Sequence, residues 1–215
     1  MTDLAFEVIE SRAEDYAAEP TLVLRLRITN TSGAPVHALA LKCQIRIEPQ
    51  RRQYDATEKE RLYDLFGEAP QWGSSLHPFL WTHISTMVTG FDDSTEVDLH
   101  VPCSYDMEVA GAKYLHALTG GEIPIVLLFS GSVFGAGSSP SGAGFTARPV
   151  AWSAEANHRL PVEIWRATID RYFPGVGWIK VSHQVLDDLA KFKTERALPT
   201  FDQTLEHLLK EAGDP

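Results

Sequence analysis

Strict alternation of apolar and polar side chains is the feature that most constrains the fold of this chain. Between residues 21 and 30, leucine or isoleucine occupies every second position, with two arginines between them. Successive side chains of a strand point to opposite faces, so this period of two predicts a half-buried antiparallel strand. The same alternation runs through residues 4–10 and 36–49, and a turn cluster at residues 30–35 separates the two longest segments. Two such strands around a turn are typical of the hairpin of an immunoglobulin-type sandwich, in which one face packs on a second sheet.

The rest of the chain mixes further strand patterns with helical ones. Thr57 as a cap with Glu60 at capping-box spacing, together with apolar residues at helical intervals, predicts a short helix at residues 55–67. An aromatic-rich loop is expected at 68–83. Residues 106–121 are expected to form a helical crossover that ends at two glycines. The last 60 residues are predicted to be helical, with Pro161 at the first position of a helix. Further strands are predicted at residues 83–91, 94–103, 122–134 and 145–152.

These patterns predict an α+β fold, namely an antiparallel, immunoglobulin-like β-sandwich with inserted short helices and a helical C-terminal segment. A chain of 215 residues is long enough to bury a sizeable core as one domain with a helical appendage. We expect residues 1–152 to form the sandwich domain and residues 153–215 to form a helical segment packed on it.

The charge of the chain excludes several classes of partner. Twenty-nine acidic and nineteen basic residues give a net charge of −10, which repels nucleic acid and anionic membrane surfaces. No apolar run approaches the 18 or so residues that a membrane-spanning helix needs, and the first residues are acidic rather than typical of a signal peptide. We therefore expect a cytoplasmic protein that binds neither nucleic acid nor membrane.

A glycine-rich stretch, SGSVFGAGSSPSGAGFTARPV at residues 130–150, is the segment that most resembles a phosphate-binding loop. A phosphate cradle needs its glycines in a strand-to-helix turn, because the anion binds free N–H groups at the N-terminus of a helix. Here the segment that follows alternates like a strand and contains Pro149. The pattern therefore predicts the tip of a hairpin between two strands.

Cys43, His100 and Cys103 are the only side chains that suggest a soft metal site. Thiolates and imidazoles suit zinc or an iron–sulfur centre, but no Cys-x-x-Cys pair is present. His100 and Cys103 are three residues apart, which places them on opposite faces of a strand unless Pro102 bends it. Two core cysteines and one surface histidine are the alternative interpretation.

Trp72, His77 and Trp81 are candidate contacts for a protein partner, because exposed aromatic residues carry much of the energy of protein interfaces. Alternatively, the tryptophans attach a long loop to the sandwich. Arg51 and Arg52 could bind a carboxylate or a phosphate, or could pair with acids of the nearby helix such as Glu58 and Glu60. No Gly-x-Ser-x-Gly nucleophile motif occurs. We expect neither catalysis nor a cofactor.

Seven stretches together resemble an uncharacterised family of bacterial proteins with a β-sandwich and helices. They are QIRIEPQRRQY, LFGEAPQW, LWTH, STEVDLHVPCSYDMEVAGAKYLHAL, IPIVLLFSGSVF, PVEIWRATIDRYFPGVGWI and ALPTFDQTLEHLL. The likeness extends over almost the whole chain. The resemblance implies no established activity, but it associates the chain with gene neighbourhoods of nickel–iron hydrogenases.

These observations favour a non-catalytic accessory or adaptor protein that binds another protein, in the assembly or function of a redox enzyme such as a hydrogenase. Trp72, His77, Trp81, Arg51 and Arg52 are the expected contacts. The alternative is a metal-binding or redox module that uses Cys43, His100 and Cys103.

Overall fold

The computed structural model describes residues 4–103, 109–137, 144–177 and 179–213, and shows antiparallel sheets and helices. The strands are β1 Leu4–Ala13, β2 Thr21–Asn30, β3 Val36–Ile47, β4 Phe79–Phe91, β5 Ser94–Pro102, β6 Glu122–Gly137, β7 Gly144–Pro149 and β8 Glu155–Pro161. The helices are α1 Ala56–Arg61, α2 Tyr63–Phe66, α3 Trp72–Ser75, α4 Ala110–Ala117, α5 Val162–Tyr172, α6 His183–Glu195 and α7 Phe201–Gly213. Short 3₁₀ turns lie at Pro49–Arg51 and Ala69–Gln71. Within the described ranges, no helix combines the length and apolarity needed to cross a bilayer.

Two antiparallel sheets contain all eight of these strands. One sheet has the order β1-β2-β5, and the other has the order β4-β3-β6-β7 with β8 also paired to β6. β3 pairs with residues 125–134 of β6, whereas β7 and β8 pair with residues 132–137 and 122–128. The residues of β6 that pair with β7 and with β8 overlap those that pair with β3. β7 and β8 therefore both lie on the edge of β6 opposite β3, one after the other.

The alternating residues of both sheets supply one hydrophobic core. Leu22, Leu24, Leu26 and Ile28 of β2 are fully buried, as are Leu39 and Ile45 of β3. The ring of Phe6 on β1 stacks on the ring of Phe129 on β6, with 4.2 Å between their centroids. The sequence prediction of strands at these positions is therefore confirmed, and the hairpin of β6 and β7 is present. The predicted tip of that hairpin, residues 138–143, lies outside the described residues.

The inserted helices follow β3. Asp55 caps α1, where the sequence had suggested Thr57 with Glu60. Its side chain accepts from the backbone N–H of Glu58, and the Glu58 side chain accepts from the backbone N–H of Asp55. Each acceptor satisfies a donor that the first helical turn leaves free. Gly67 ends α2 with a positive φ of 72°, a conformation that glycine adopts without steric cost.

The chain forms two compact units, residues 1–177 and 178–215. The first unit holds all eight strands and helices α1–α5, and the second holds α6 and α7. In the second unit, Ser182 caps α6 by accepting from the backbone N–H of Val185. Neither α6 nor α7 buries a hydrophobic side chain; the buried residue of the pair is Thr204.

Three expectations from the sequence need correction. The expected division at residues 152 and 153 differs from the observed units, because β8 completes the edge of the second sheet and α5 packs on β1, β2 and β8. β8 lies within the segment that was expected to be helical, and α5 begins one residue after Pro161. The expected loop at 68–83 instead contains a 3₁₀ turn, α3 and the start of β4.

Candidate functional site: an arginine-lined cleft

An open cleft of about 620 Å³ lies where the end of β3 meets the start of β6 and the end of β8. The turn at Pro49–Arg51 positions one wall, since the backbone N–H of Glu48 donates to the carbonyl of Pro124 over 2.9 Å. We call this site the arginine cleft. Its lining residues are Gln50, Arg51, Arg52, Gln53, Gly121, Glu122 and Arg159.

Two of the three arginines are exposed. One terminal nitrogen of Arg51, Nη1, donates to the carboxylate of Glu48 over 2.7 Å and to Oδ1 of Asn157 over 2.8 Å. Within the described parts of the chain, no acceptor binds the Nε or Nη2 of Arg51. Arg159 lies 3.7 Å from Glu122, and both side chains of that pair are more than half exposed. Such an exposed pair is weak, so both guanidiniums keep donors for a ligand.

Arg52 is in the opposite environment. Its Nη2 donates to Oε1 of Glu58 over 2.8 Å and to the carbonyl of Gly120 over 3.2 Å. The side chains of Arg52 and Glu58 are only 8% and 3% exposed. Its guanidinium also lies over the ring of Tyr54, 4.9 Å from the centroid. Arg52 thus pairs with a helix acid, as the alternative interpretation of the sequence had it, and forms part of the cleft wall.

An aromatic cluster lies behind this wall. The indole N–H of Trp72 donates to the carbonyl of Gly67 over 3.0 Å, and its ring meets Tyr54 and Phe66 edge to face. The hydroxyls of Tyr54 and Tyr114 are 2.8 Å apart. Burial raises the pKa of Tyr54 far above its usual range and that of Tyr114 to about 12. Both hydroxyls therefore stay protonated at neutral pH and serve as hydrogen-bonding groups.

The structure separates the three aromatic candidates. Trp72 is buried and holds the inserted helices to the core, so it is not placed to touch a partner. Trp81 is half-buried on β4 and packs against Gly111 of α4, while His77 is exposed just before β4. None of the three lines the arginine cleft.

Two residues with functional potential escaped the sequence analysis. Arg159 lines the cleft from β8, a strand with only Ala156 and Leu160 buried, too few for a clear alternation. Trp152, in the turn between β7 and β8, is 95% exposed. No local pattern distinguishes this tryptophan from the buried ones, because exposure depends on how the two flanking strands pair.

The soft metal candidates are not brought together. Cys43 is buried on β3, whereas Cys103 is buried just after β5 in the other sheet. Burial raises the pKa of each thiol to about 12, so neither is a thiolate at neutral pH. His100 is exposed, with its Nδ1 3.6 Å from the carboxylate of Glu14. Across the described segments, no three histidine, cysteine, aspartate or glutamate side chains form a group that could hold a metal ion.

The chemistry of the arginine cleft is that of binding. Guanidiniums present planar pairs of N–H donors that match the two oxygens of a carboxylate, and Gln50 and Gln53 add neutral amides. Among the lining residues, Glu122 is the only acidic side chain, and none is a hydroxyl, thiol or imidazole. The site therefore presents hydrogen-bond donors that fit an anionic group.

Solved structures offer only distant likenesses. The CARDB domain of the PF1109 protein from Pyrococcus furiosus, solved with di-metal ions, is 9% identical over 74% of this chain and 92% of that chain, with a TM-score of 0.28. The ApaA protein of Bordetella pertussis is 13% identical over 74% and 93%, with a TM-score of 0.26. A β-glucosidase of Paenibacillus barengoltzii is 15% identical over 71% of this chain and 19% of that chain, with a TM-score of 0.29.

At these TM-scores the likenesses support no argument about function, and no curated relative matches the sequence. A family model, in contrast, matches the chain over its full length. Residues 1–215 match the family described as being of unknown function, DUF6084, and the chain therefore belongs to that family.

Proposed function

We propose that this protein is a non-catalytic accessory protein that binds an acidic segment of another protein in the arginine cleft. The observation that carries the proposal is the pairing of two exposed guanidiniums, Arg51 and Arg159, in one cleft of a chain whose net charge is −10. Glu122 is the single acidic residue of the lining, so the cleft favours an anion that the rest of the surface repels.

Exposed apolar residues elsewhere support a role in protein binding. Large exposed hydrophobic side chains are a mark of interaction surfaces, and Trp152 presents almost its whole ring to solvent. The helices of the second unit add exposed hydrophobic side chains, namely Val185, Leu186, Phe201 and Leu209.

The strand order and the two cysteines support two further parts of the proposal, the sandwich fold and the cytoplasmic location. The orders β1-β2-β5 and β4-β3-β6-β7 follow if the chain crosses between two facing sheets after β2, β4 and β5, and we propose an immunoglobulin-like sandwich on that ground. Two free, buried cysteines suit a reducing cytoplasm. The extension to an accessory role beside nickel–iron hydrogenases rests on the sequence resemblance alone.

The experiment compares proteins that co-purify with the tagged wild-type chain and with an Arg51→Ala/Arg159→Ala variant from cells that naturally contain it. We expect a specific partner whose recovery falls at least about tenfold in the variant, the effect of losing roughly 1.4 kcal/mol of binding free energy. A synthetic peptide with the partner's acidic segment should then bind the wild-type chain and lose affinity for the variant.

Arg27→Ala is the matched control, because Arg27 is also exposed and paired with glutamate, but on β2 and outside the cleft. A partner retained equally by the wild type and the cleft variant contradicts the proposal, and so does the absence of any enriched partner. Partners that include no hydrogenase subunit or maturation protein would remove only the hydrogenase extension.

A further inference from the structure

The free edge of β4 is a second feature of the molecule that suggests an interaction. β4 has thirteen residues and pairs with β3 on one side, in a regular register from Val36↔Phe91 to Ile45↔Thr82. On its other side, no backbone group in the described ranges forms a hydrogen bond to it. A regular strand edge with unpaired N–H and C=O groups is a template for another strand.

The composition of β4 sets it apart from the other edge strands. Its sequence, FLWTHISTMVTGF, contains no aspartate, glutamate, lysine, arginine or proline. Proteins normally protect sheet edges with such residues, and the other edge strands have them. The protecting residues are Glu7, Glu10 and Arg12 on β1, Glu96 and Asp98 on β5, and Arg148 and Arg159 on β7 and β8.

The core holds this edge in place. Val88 is buried and Ile84 packs against the core on the inner face of the strand. On the outer face, Ser85 and Met87 are exposed, and Met87 is 65% exposed beside a shallow depression of about 550 Å³. An incoming strand therefore meets a pre-ordered edge, which lowers the entropic cost of pairing.

We propose that the β4 edge binds the β4 edge of a second copy of this chain, antiparallel and across a two-fold axis. The two five-stranded sheets then join into one continuous sheet. In an antiparallel pair across a two-fold axis, residue i of one strand faces residue j of the other, and only the residue at the axis faces its own copy. Pairing along the whole of β4 places Ser85, the middle of its thirteen residues, at that axis. Two chains of net charge −10 repel each other, and the uncharged edge is where they can meet. β4 also has no aspartate, glutamate, lysine or arginine side chain that could select the strand of a different protein.

The test is the oligomeric state of the full-length chain, measured by sedimentation equilibrium over a range of concentrations. We expect a wild-type dimer. Ser85→Lys and Ser85→Glu should each weaken it at least about tenfold, because like charges meet across the paired strands. An equimolar mixture of the two variants should regain the wild-type affinity as a heterodimer, because lysine then faces glutamate.

Ser94→Lys and Ser94→Glu are the matched controls, since Ser94 is an exposed serine on the edge strand β5. Circular dichroism melts verify that all four variants are folded. A wild-type chain that is monomeric at about 100 μM, above the micromolar constants of weak specific complexes, overturns the proposal. So do Ser85 variants that dimerise like the wild type, or a mixture that fails to restore the dimer. The Arg51→Ala/Arg159→Ala variant should dimerise normally, because the two proposals are independent.

Discussion

At the scale of single residues, two neighbouring arginines of the cleft provide a direct test of burial. The Arg52–Glu58 pair is almost fully buried, whereas the Arg51 side chain is 52% exposed beside Glu48. Arg52→Ala leaves the carboxylate of Glu58 buried without its counter-charge, so we expect a loss of about 3–5 kcal/mol in the free energy of unfolding. Arg51→Ala removes an exposed pair and should cost only about 0–1 kcal/mol. Urea denaturation of the two variants measures both values.

Equal losses in the two variants would contradict the burial of the Arg52–Glu58 pair. The carboxylate of Glu58 also accepts from the backbone N–H groups of Asp55 and Thr119. These donors tie α1 to the residues after α4, so part of the loss in Arg52→Ala should appear as loosening of the inserted helices. Faster hydrogen exchange of the α1 amides would report that loosening.

At the scale of elements, β6 depends on one glycine in its centre. Gly131 has φ 138°, and a Cβ there would lie 2.0 Å from the carbonyl oxygen of Ala40 on β3. Gly131→Ala should therefore cost at least the roughly 1–3 kcal/mol of a residue held in a rare backbone conformation, with the clash in addition. Thermal and urea unfolding measure the loss.

Gly135→Ala on the same strand is the control, because its Cβ would lie 3.3 Å from the carbonyl oxygen of Pro35 and its φ is not in the positive region. We expect a much smaller effect there. A Gly131→Ala variant as stable as the wild type would show that β3 and β6 are not in the register Leu41↔Gly131.

The elements also show how far the sequence predicts the fold. The sequence predicted β1–β3, β5–β7 and the part of β4 from residue 83 onward, and alternation is clearest in β3, which buries one continuous face. Ser182 identified the start of α6, whereas the cap of α1 is Asp55 and not the expected Thr57. β8 escaped because only Ala156 and Leu160 of its seven residues are buried, and its partner, β6, is distant in the sequence. For the same reason the sequence suggested Arg51 for the cleft but not Arg159, which a non-local strand pairing brings to it. The sequence also suggested the buried Trp72 as a partner contact, because no local pattern shows whether an indole faces solvent or the core.

At the scale of the whole molecule, the two proposed interactions use opposite edges of one sheet. β4 forms one edge of the β4-β3-β6 order, and β8, which carries Arg159, lies on the other side of β6. A dimer through β4 therefore leaves both arginine clefts accessible. Two clefts on one dimer allow a partner with two acidic segments to bind with an avidity beyond the affinity of either site.

The division into two units predicts how the chain tolerates truncation. Every residue of the hydrophobic core lies before residue 177, as do β4 and the lining of the arginine cleft. A chain ending at Gly177 should therefore unfold in a single cooperative transition and still dimerise, as measured by calorimetry and sedimentation.

A peptide of residues 178–215 has two helices of thirteen residues without a buried hydrophobic side chain. Isolated helices shorter than about 12–15 residues are marginal in water, so its circular dichroism should be largely that of an unfolded chain. A truncated chain that aggregates or loses cooperativity would show that α6 and α7 are needed to complete the first unit, and a strongly helical peptide would show that they fold without it.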